Sequence, residues 1–453
     1  MSKLWKKDYS FDKLIEEYTV GDDPLLDLEL VNADCVASIA HAVMLESIGI
    51  LTSGELQGLR RELIEILRLN QEGRFAIRME EEDCHTAIEN RLVERLGEAG
   101  KKIHTGRSRN DQIIAALRLH ARSVLLALQR SCLELVRTLI RFAGTNAGVP
   151  MPGRTHMQIA MPSSVGLWAG AFAEELLDDV ALLAGAWELN NVSPLGSAAS
   201  YGVPLPLDRE LVARLLGFRD VQNNVLYVNN SRGKFEAVIL DAVEQLMLTL
   251  SKLAQDVILF SMPEFRYFTL PQELCGGSSI MPQKRNPGML ELMRAKAATV
   301  GACSSQIKGI IRSLPSGYNR DFQETKGPFL RGLSIGLTSV RVAERVMQSL
   351  GVNEEALLAG FIPEIYATDR ALELVASGVP FRDAYRRVAA DLANLESMDP
   401  HEAIRKKTHT GTTGNLGLEL AERRLEEQAR RIAEQSQGVD RCVRELTGLE
   451  AML

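Results

Sequence analysis

Four short segments of this 453-residue sequence gather the side chains that proton transfer and anion binding need. CGGSSIMPQKRNP, residues 275–287, sets two glycines and two serines just ahead of Lys284, Arg285 and Asn286. Backbone freedom, hydroxyls and cations in that order describe a mobile, positively charged loop. KIHTGRSRNDQ, residues 102–112, places Ser108, Arg109 and Asn110 at the head of a helical pattern, with Asn110 or Asp111 as the expected cap. The free N–H groups of a helix start, beside guanidinium groups, favour a bound carboxylate. PGRTHMQIAMP, residues 152–162, offers Thr155 and His156 in a turn, and an imidazole can take or give a proton near neutral pH. LPSGYNRDFQETKGP, residues 314–328, adds Tyr318, Gln323 and Lys326. A weaker fifth stretch, EEDCHTAIENRL, residues 81–92, carries His85 with Glu89 four residues on, a spacing that equally suits a plain ion pair. Taken singly, each segment also reads as a solvated loop, a helix cap or a structural histidine.

Something rigid must hold these segments. Leu, Ala, Glu and Arg recur at three- and four-residue spacing over long stretches, the pattern of helices rather than strands, and the expected fold is all-α. Long helices are expected near 110–144, 163–190, 233–261, 289–312 and 328–350, each on the order of 35 to 50 Å long. The chemically rich loops fall between them, where binding residues on a rigid scaffold concentrate. Shorter helical patterns occupy 1–105, and further short helices follow 351, ending in the charged ELAERRLEEQARRIAEQ. Three helical domains follow: 1–105, a central five-helix bundle at 106–350, and 351–453. Apolar residues on more than one helix face, such as Ile239, Leu240 and Val243, call for a homo-oligomer with a helical core.

Composition narrows the function. Fifty-two Lys and Arg against 59 Asp and Glu leave a net charge of −7, the wrong sign for an overall grip on nucleic acid. Six widely spaced cysteines fit a reducing compartment rather than a disulfide framework. The opening MSKLWKKDYS lacks an apolar leader and no membrane-length apolar run occurs, so a cytoplasmic protein is expected. Seven histidines without H-x-x-x-H spacing, and no phosphate-binding glycine loop, imply neither a metal nor a nucleotide cofactor.

The loop at 275–287 resembles the signature loop of the fumarase and aspartase superfamily, and its MPQK form is similar to that of the argininosuccinate lyase family. HTGRSRNDQ, the T-H-x-Q at 155–158 and YNRDFQETK at 318–326 carry the same resemblance. The E-D-x-H stretch around His85, SPLGSAASYG at 193–202 and ATDRALELVASGVPFR at 367–382 extend it over about 27–382. The resemblance implies a cofactor-independent carbon–nitrogen lyase that cleaves argininosuccinate to arginine and fumarate, as a homotetramer with sites shared between subunits. It makes Ser278 the general base, with Ser279 as second choice. Lys284 and Asn286 would stabilise the dianionic intermediate, and His156, oriented by Glu291, would deliver the proton to the leaving nitrogen. Arg109, Asn110, Thr155, Tyr318, Gln323 and Lys326 would hold the substrate, joined by Ser108 and His85. A sister lyase acting on adenylosuccinate, or a catalytically silent crystallin-like protein, are the alternatives. HTGRSRND and Gln283 argue against the first; His156, Ser278 and Lys284 together argue against the second. Departures from the family pattern are Trp5 to Tyr9 in place of W-G-G-R-F, Asp23 near an expected serine, Arg154 for Tyr, Gly233 for Asp and Tyr385 for His.

Overall fold

Apolar stripes drive five long helices side by side in the computed structural model, which describes residues 12–449. The opening Trp5 to Tyr9 lies outside the described residues. The helices are α1 (Arg109–Thr145), α2 (Val165–Asn190), α3 (Lys234–Phe260), α4 (Gly288–Ile311) and α5 (Lys326–Ser349), close to the expected bounds. On α1 the stripe Leu125, Leu128, Cys132, Leu135, Val136 and Leu139 is wholly buried. Each buried leucine there contributes about 2 kcal/mol by leaving water. No single helix among the described residues is long and apolar enough to cross a membrane.

Directions follow from cross-helix hydrogen bonds. Asn190 Nδ2 donates to Arg118 O at 2.9 Å, and Trp187 Nε1 to Arg122 O at 3.1 Å, so the end of α2 meets the start of α1. Ser304 Oγ donates to Asp241 Oδ1 at 2.6 Å, setting α4 antiparallel to α3. Trp168 Nε1 donates to Asp256 Oδ2 at 3.0 Å, joining the start of α2 to the last turns of α3. Helix α5 runs with α3 at unusually close approach. A Cβ at Gly332 would stand 2.6 Å from Leu240, and one at Gly336 would stand 2.6 Å from Val243. The bundle therefore has two ends. The near end holds the starts of α1, α3 and α5; the far end holds the starts of α2 and α4.

Two elements differ from expectation. The stretch up to 162 is expected as a loop and 163 as the start of a helix, but 150–164 form an antiparallel hairpin, β1 (Pro150–Thr155) and β2 (Gln158–Ser164). Pairing of Thr155 with Gln158 leaves only His156 and Met157 for the turn, both left-handed at φ 53° and 64°. Two-residue hairpin turns demand that geometry, and glycine or asparagine usually supplies it. A non-glycine residue there costs roughly 1–2 kcal/mol. The second difference is α6 (Leu418–Thr447), a 30-residue helix where short ones were expected. Its buried residues Ala421, Leu425, Ile432, Val439 and Leu446 form a seam hidden among charges. That seam lies on α1 and α2, with Gln428 Nε2 donating to Leu177 O at 3.0 Å.

Candidate active site

The HTGRSRND segment is shaped by partners outside it. His41 Nε2 lies 2.9 Å from Thr105 O, and Arg107 Nη1 donates to Ser38 Oγ at 2.9 Å, docking the loop on helix Val31–Ser47. The cap of α1 is Ser108, not Asn110 or Asp111. Ser108 Oγ accepts from Asn110 N–H at 3.3 Å, and Asp111 Oδ1 accepts from Ser108 N–H at 2.9 Å. The other oxygen of buried Asp111 accepts from Gly196 N–H at 3.1 Å and Ala198 N–H at 2.9 Å. Left-handed φ values of 81° and 52° at those residues turn both N–H groups onto one carboxylate. SPLGSAASYG thus serves as the socket that fixes the start of α1.

At the near end lies a cavity of about 370 Å³ that gathers seven expected residues: His85, Ser108, Arg109, Asn110, Tyr318, Gln323 and Lys326. Lys326, only 3% exposed, sits 2.5 Å from Asp27 Oδ1 and 2.8 Å from Asp23 Oδ1. Arg109 donates to Thr86 Oγ1 at 2.7 Å and lies 3.3 Å from Asp83 and 3.4 Å from Glu82. Arg320 Nη2 is 2.8 Å from Glu82 Oε1. Gln323 Nε2 donates to Thr19 O at 2.9 Å, tying the helix Lys13–Val20 to the rim. His85 pairs with Asp34 at 3.1 Å rather than with Glu89. Helix Val31–Ser47 supplies that partner, which local spacing does not reveal.

Charge pairing tunes the walls. Burial opposes protonation of His85, but Asp34, Asp83 and Asp27 outweigh it and raise its pKa. His104 goes the other way, to about 4, through burial and the nearby Arg107 and Arg109. Lys326 stays charged because Asp27 and Asp23 overcome its burial. Burial lifts Asp23 from 3.8 to about 6, against the pull of Lys326. Its neutral form is thus the one the fold favours, and that stabilisation is complete below the ordinary pKa and lost as pH rises through about 6. Asp23→Asn removes the charge while Asp27 still holds Lys326. The variant is expected to gain up to about 3 kcal/mol near pH 7.5, an advantage gone below about pH 4. Thermal unfolding at both pH values checks it; an unchanged melting temperature near pH 7.5 contradicts it.

Asp27, Cys84 and His85 bring ligand atoms within 4.8 Å of one another. Asp27 already accepts from Lys326 and from Cys84 N–H, and His85 Nδ1 faces Asp34. Asp27, Glu82, His104, Arg232 and Arg320 also line the cavity and were not among the expected site residues. Arg320 and Arg232 lie inside or beside matched motifs; for Asp27 the only signal is an Asp four residues after Asp23, ahead of a helix.

Thr155, His156, Ser278, Lys284, Asn286 and Glu291 lie at the far end. The length of α1, 37 residues or about 55 Å, separates Arg109 from the hairpin bearing His156. Gly276 N–H donates to Asn286 O at 2.9 Å and Asn286 N–H to Gly276 O at 2.8 Å, closing the base of the glycine-serine loop. Asn286 Nδ2 also donates to Gly277 O at 3.2 Å. At the tip, Ser278 Oγ accepts from Met281 N–H at 3.1 Å and Ile280 N–H at 3.4 Å. Two such donors favour an oxyanion over a neutral hydroxyl. Lys284 is exposed, and Glu291 is exposed in the first turn of α4.

Residues 6–301 match the family model described as Lyase. The argininosuccinate lyase of Sorangium cellulosum (strain So ce56) is 45% identical over 428 residues, covering 94% of this chain and 99% of that one. The chain belongs to the argininosuccinate lyase family. The argininosuccinate lyase of Thermotoga neapolitana is 43% identical, over 85% of this chain and 97% of its own. Among solved structures, EDDS lyase in complex with formate shares the fold with a TM-score of 0.79 at 20% identity, covering 97% of each chain. Class II fumarase from Schistosoma mansoni does so at 0.72 and 16% identity, over 87% of this chain and 95% of its own.

Within the argininosuccinate lyase family two departures of this chain have local causes. Arg154 crosses its own hairpin, donating to Met157 O at 3.2 Å, and its guanidinium lies 4.9 Å from the Phe265 ring centre. Gly233 begins α3 at φ 78°, where an added Cβ would stand 2.4 Å from Ile311. Nothing in the structure explains Tyr385, which is exposed.

Proposed function

We propose that this chain cleaves argininosuccinate to arginine and fumarate, the arginine-forming step of a biosynthetic route, without metal or cofactor. The carrying observation is the separation of one chemical set into two complementary halves: a charged substrate cavity at the near end and a base-bearing loop and histidine hairpin at the far end. Ser278 Oγ takes the proton from the carbon next to the succinyl carboxylate. The electron pair collects on that carboxylate as a dianion, stabilised by Lys284 and Asn286. The C–N bond then breaks, and the leaving guanidino nitrogen receives a proton from His156, which Glu291 orients. Arg109, Asn110, Thr155, Tyr318, Gln323 and Lys326 hold the carboxylates and the amino-acid end, with Ser108 and His85 shaping the wall.

No single chain can unite the two ends, so the enzyme works as a homotetramer in which near and far ends of different subunits meet. Support comes from α4, whose exposed face carries Ala295, Ala298, Ala302, Ser305 and Gly309 at alternating three- and four-residue steps. Small residues at that spacing let a partner helix approach closely. The division into 1–105, 106–350 and 351–453 gives the assembly a helical core flanked by smaller units, and the six free cysteines fit work in the cytoplasm. Purified protein incubated with argininosuccinate should release fumarate, followed by its ultraviolet absorbance, and should leave adenylosuccinate intact. Turnover of adenylosuccinate instead would favour the sister lyase, and turnover of neither would favour a silent structural protein.

A further inference from the structure

We propose that Arg154 is a positioning residue for proton transfer: its guanidinium holds the left-handed His156–Met157 turn in place, so that the imidazole meets the leaving nitrogen in one orientation. The inference rests on the lyase reading above and concerns a residue that stands where the family pattern has tyrosine.

The turn is strained, and little else secures it. His156 and Met157 both take left-handed backbone, at φ 53° and 64°, without the glycine or asparagine that such a turn favours. The base of the hairpin is clamped from outside. Lys407 Nζ donates to Pro162 O at 2.7 Å, His401 Nδ1 lies 3.2 Å from Gly148 O, and Ile159 packs against Ile365, Tyr366 and Ala403. The tip, Thr155 to Gln158, is exposed and lies beyond those contacts. Among the described residues one side-chain hydrogen bond reaches it, from Arg154 Nη1 to Met157 O at 3.2 Å.

Arg154 is itself arranged for that bond. Strand pairing slips between Pro152 and Arg154, a bulge that re-aims the side chain just ahead of the turn. The guanidinium lies 4.9 Å from the centre of the Phe265 ring, to which an aromatic face attracts it. That ring is braced in turn by Phe260 and Tyr267, with ring centres 6.1 and 5.4 Å away. Arg154 forms no ion pair with a carboxylate among the described residues, and its Nε is buried without a hydrogen-bond partner. Burying a donor unpaired works against stability. What the arrangement achieves is local: residue 154 is tied to residue 157 across His156, and the imidazole between them has a fixed backbone. Proton delivery depends on placement to a fraction of an ångström, whereas the near-end residues that bind substrate do not touch this turn. Loss of the tie should therefore act on kcat and spare KM.

The test compares cleavage of argininosuccinate by the assembled wild-type enzyme with that by Arg154→Ala, Met157→Gly and the double variant. Arg154→Ala should lower kcat by about 30-fold, with KM within about threefold and an unchanged melting temperature. Glycine takes left-handed backbone freely, so Met157→Gly should stay near wild type by itself and should raise kcat about tenfold in the Arg154→Ala background. That rescue separates the turn from a general structural role and from direct contact between guanidinium and substrate, neither of which Met157→Gly would repair. An unchanged kcat in Arg154→Ala, or a loss that Met157→Gly does not recover, would overturn the inference and leave the lyase reading standing. If the wild type releases no fumarate, that reading falls, and amide hydrogen exchange over residues 155–158 decides the inference by itself. Faster exchange in Arg154→Ala than in wild type would uphold it; equal exchange would overturn it.

Discussion

Ser278→Ala will lower fumarate release by about 10³- to 10⁴-fold, near the upper range for loss of a proton-transferring group, while melting temperature and oligomeric state stay unchanged. Stability should not suffer because the strap packs nothing away: Ile280 beside it is 83% exposed. The effect on rate is large because this oxygen is the one already prepared to carry charge. Its lone pairs face the N–H groups of Met281 and Ile280, so part of the stabilisation of an alkoxide is in place before substrate arrives. Ser279, the second candidate, forms neither bond, and alanine at 278 leaves those two donors with nothing to hold. Steady-state rates, with circular dichroism and sedimentation as controls, decide the matter. A variant retaining near-normal kcat would remove Ser278 from the role of base.

Mixing two inactive variants should restore activity. Ser278→Ala damages only the far end of a chain, and Asn110→Ala only the near end. Purified separately, each should be inactive, because every site in a uniform assembly then lacks one half. Dissociated and reassembled in equal amounts, the two should regain about one quarter of wild-type turnover, the chance that an intact near end meets an intact far end when sites span subunits. The physical ground is distance. The bundle places Asn110 in the first turn of a 37-residue helix and the hairpin of His156 beyond its last, and Ser278 precedes the far-end start of α4. Rescue close to zero, with hybrid assemblies demonstrated by mass, would mean that each chain completes its own site.

Much of this organisation is legible along the chain, and the limits are instructive. Five long helices follow from three- and four-residue apolar spacing, because that spacing alone determines whether one face can be buried. The hairpin at 150–164 was hidden: prolines and glycine break any alternation, and its turn is made by His156 and Met157, which seldom adopt left-handed backbone. Helix α6 does not stand out along the chain because its seam is outnumbered by charges, and only the surface of α1 and α2 shows which face is covered. The hydroxyl, amide and cationic residues of the site are visible as motif words, and so are Glu82 and Asp83 in the E-D-x-H stretch, whereas Asp27 and Asp34 stand in none. Asp34, Asp27 and Glu82 matter through partners far away in sequence, and a carboxylate carries no local mark of which cation it will meet.

The sequence by itself determined the helical class, the family and the chemical groups available, since periodicity and motif spacing are properties of neighbouring residues. Only the tertiary structure decided which of those groups share the cavity at the near end, that Ser108 rather than Asn110 caps α1, and that His85 answers to Asp34. Those outcomes depend on burial and on Coulomb partners brought together across the fold, and a linear order of residues does not contain distances.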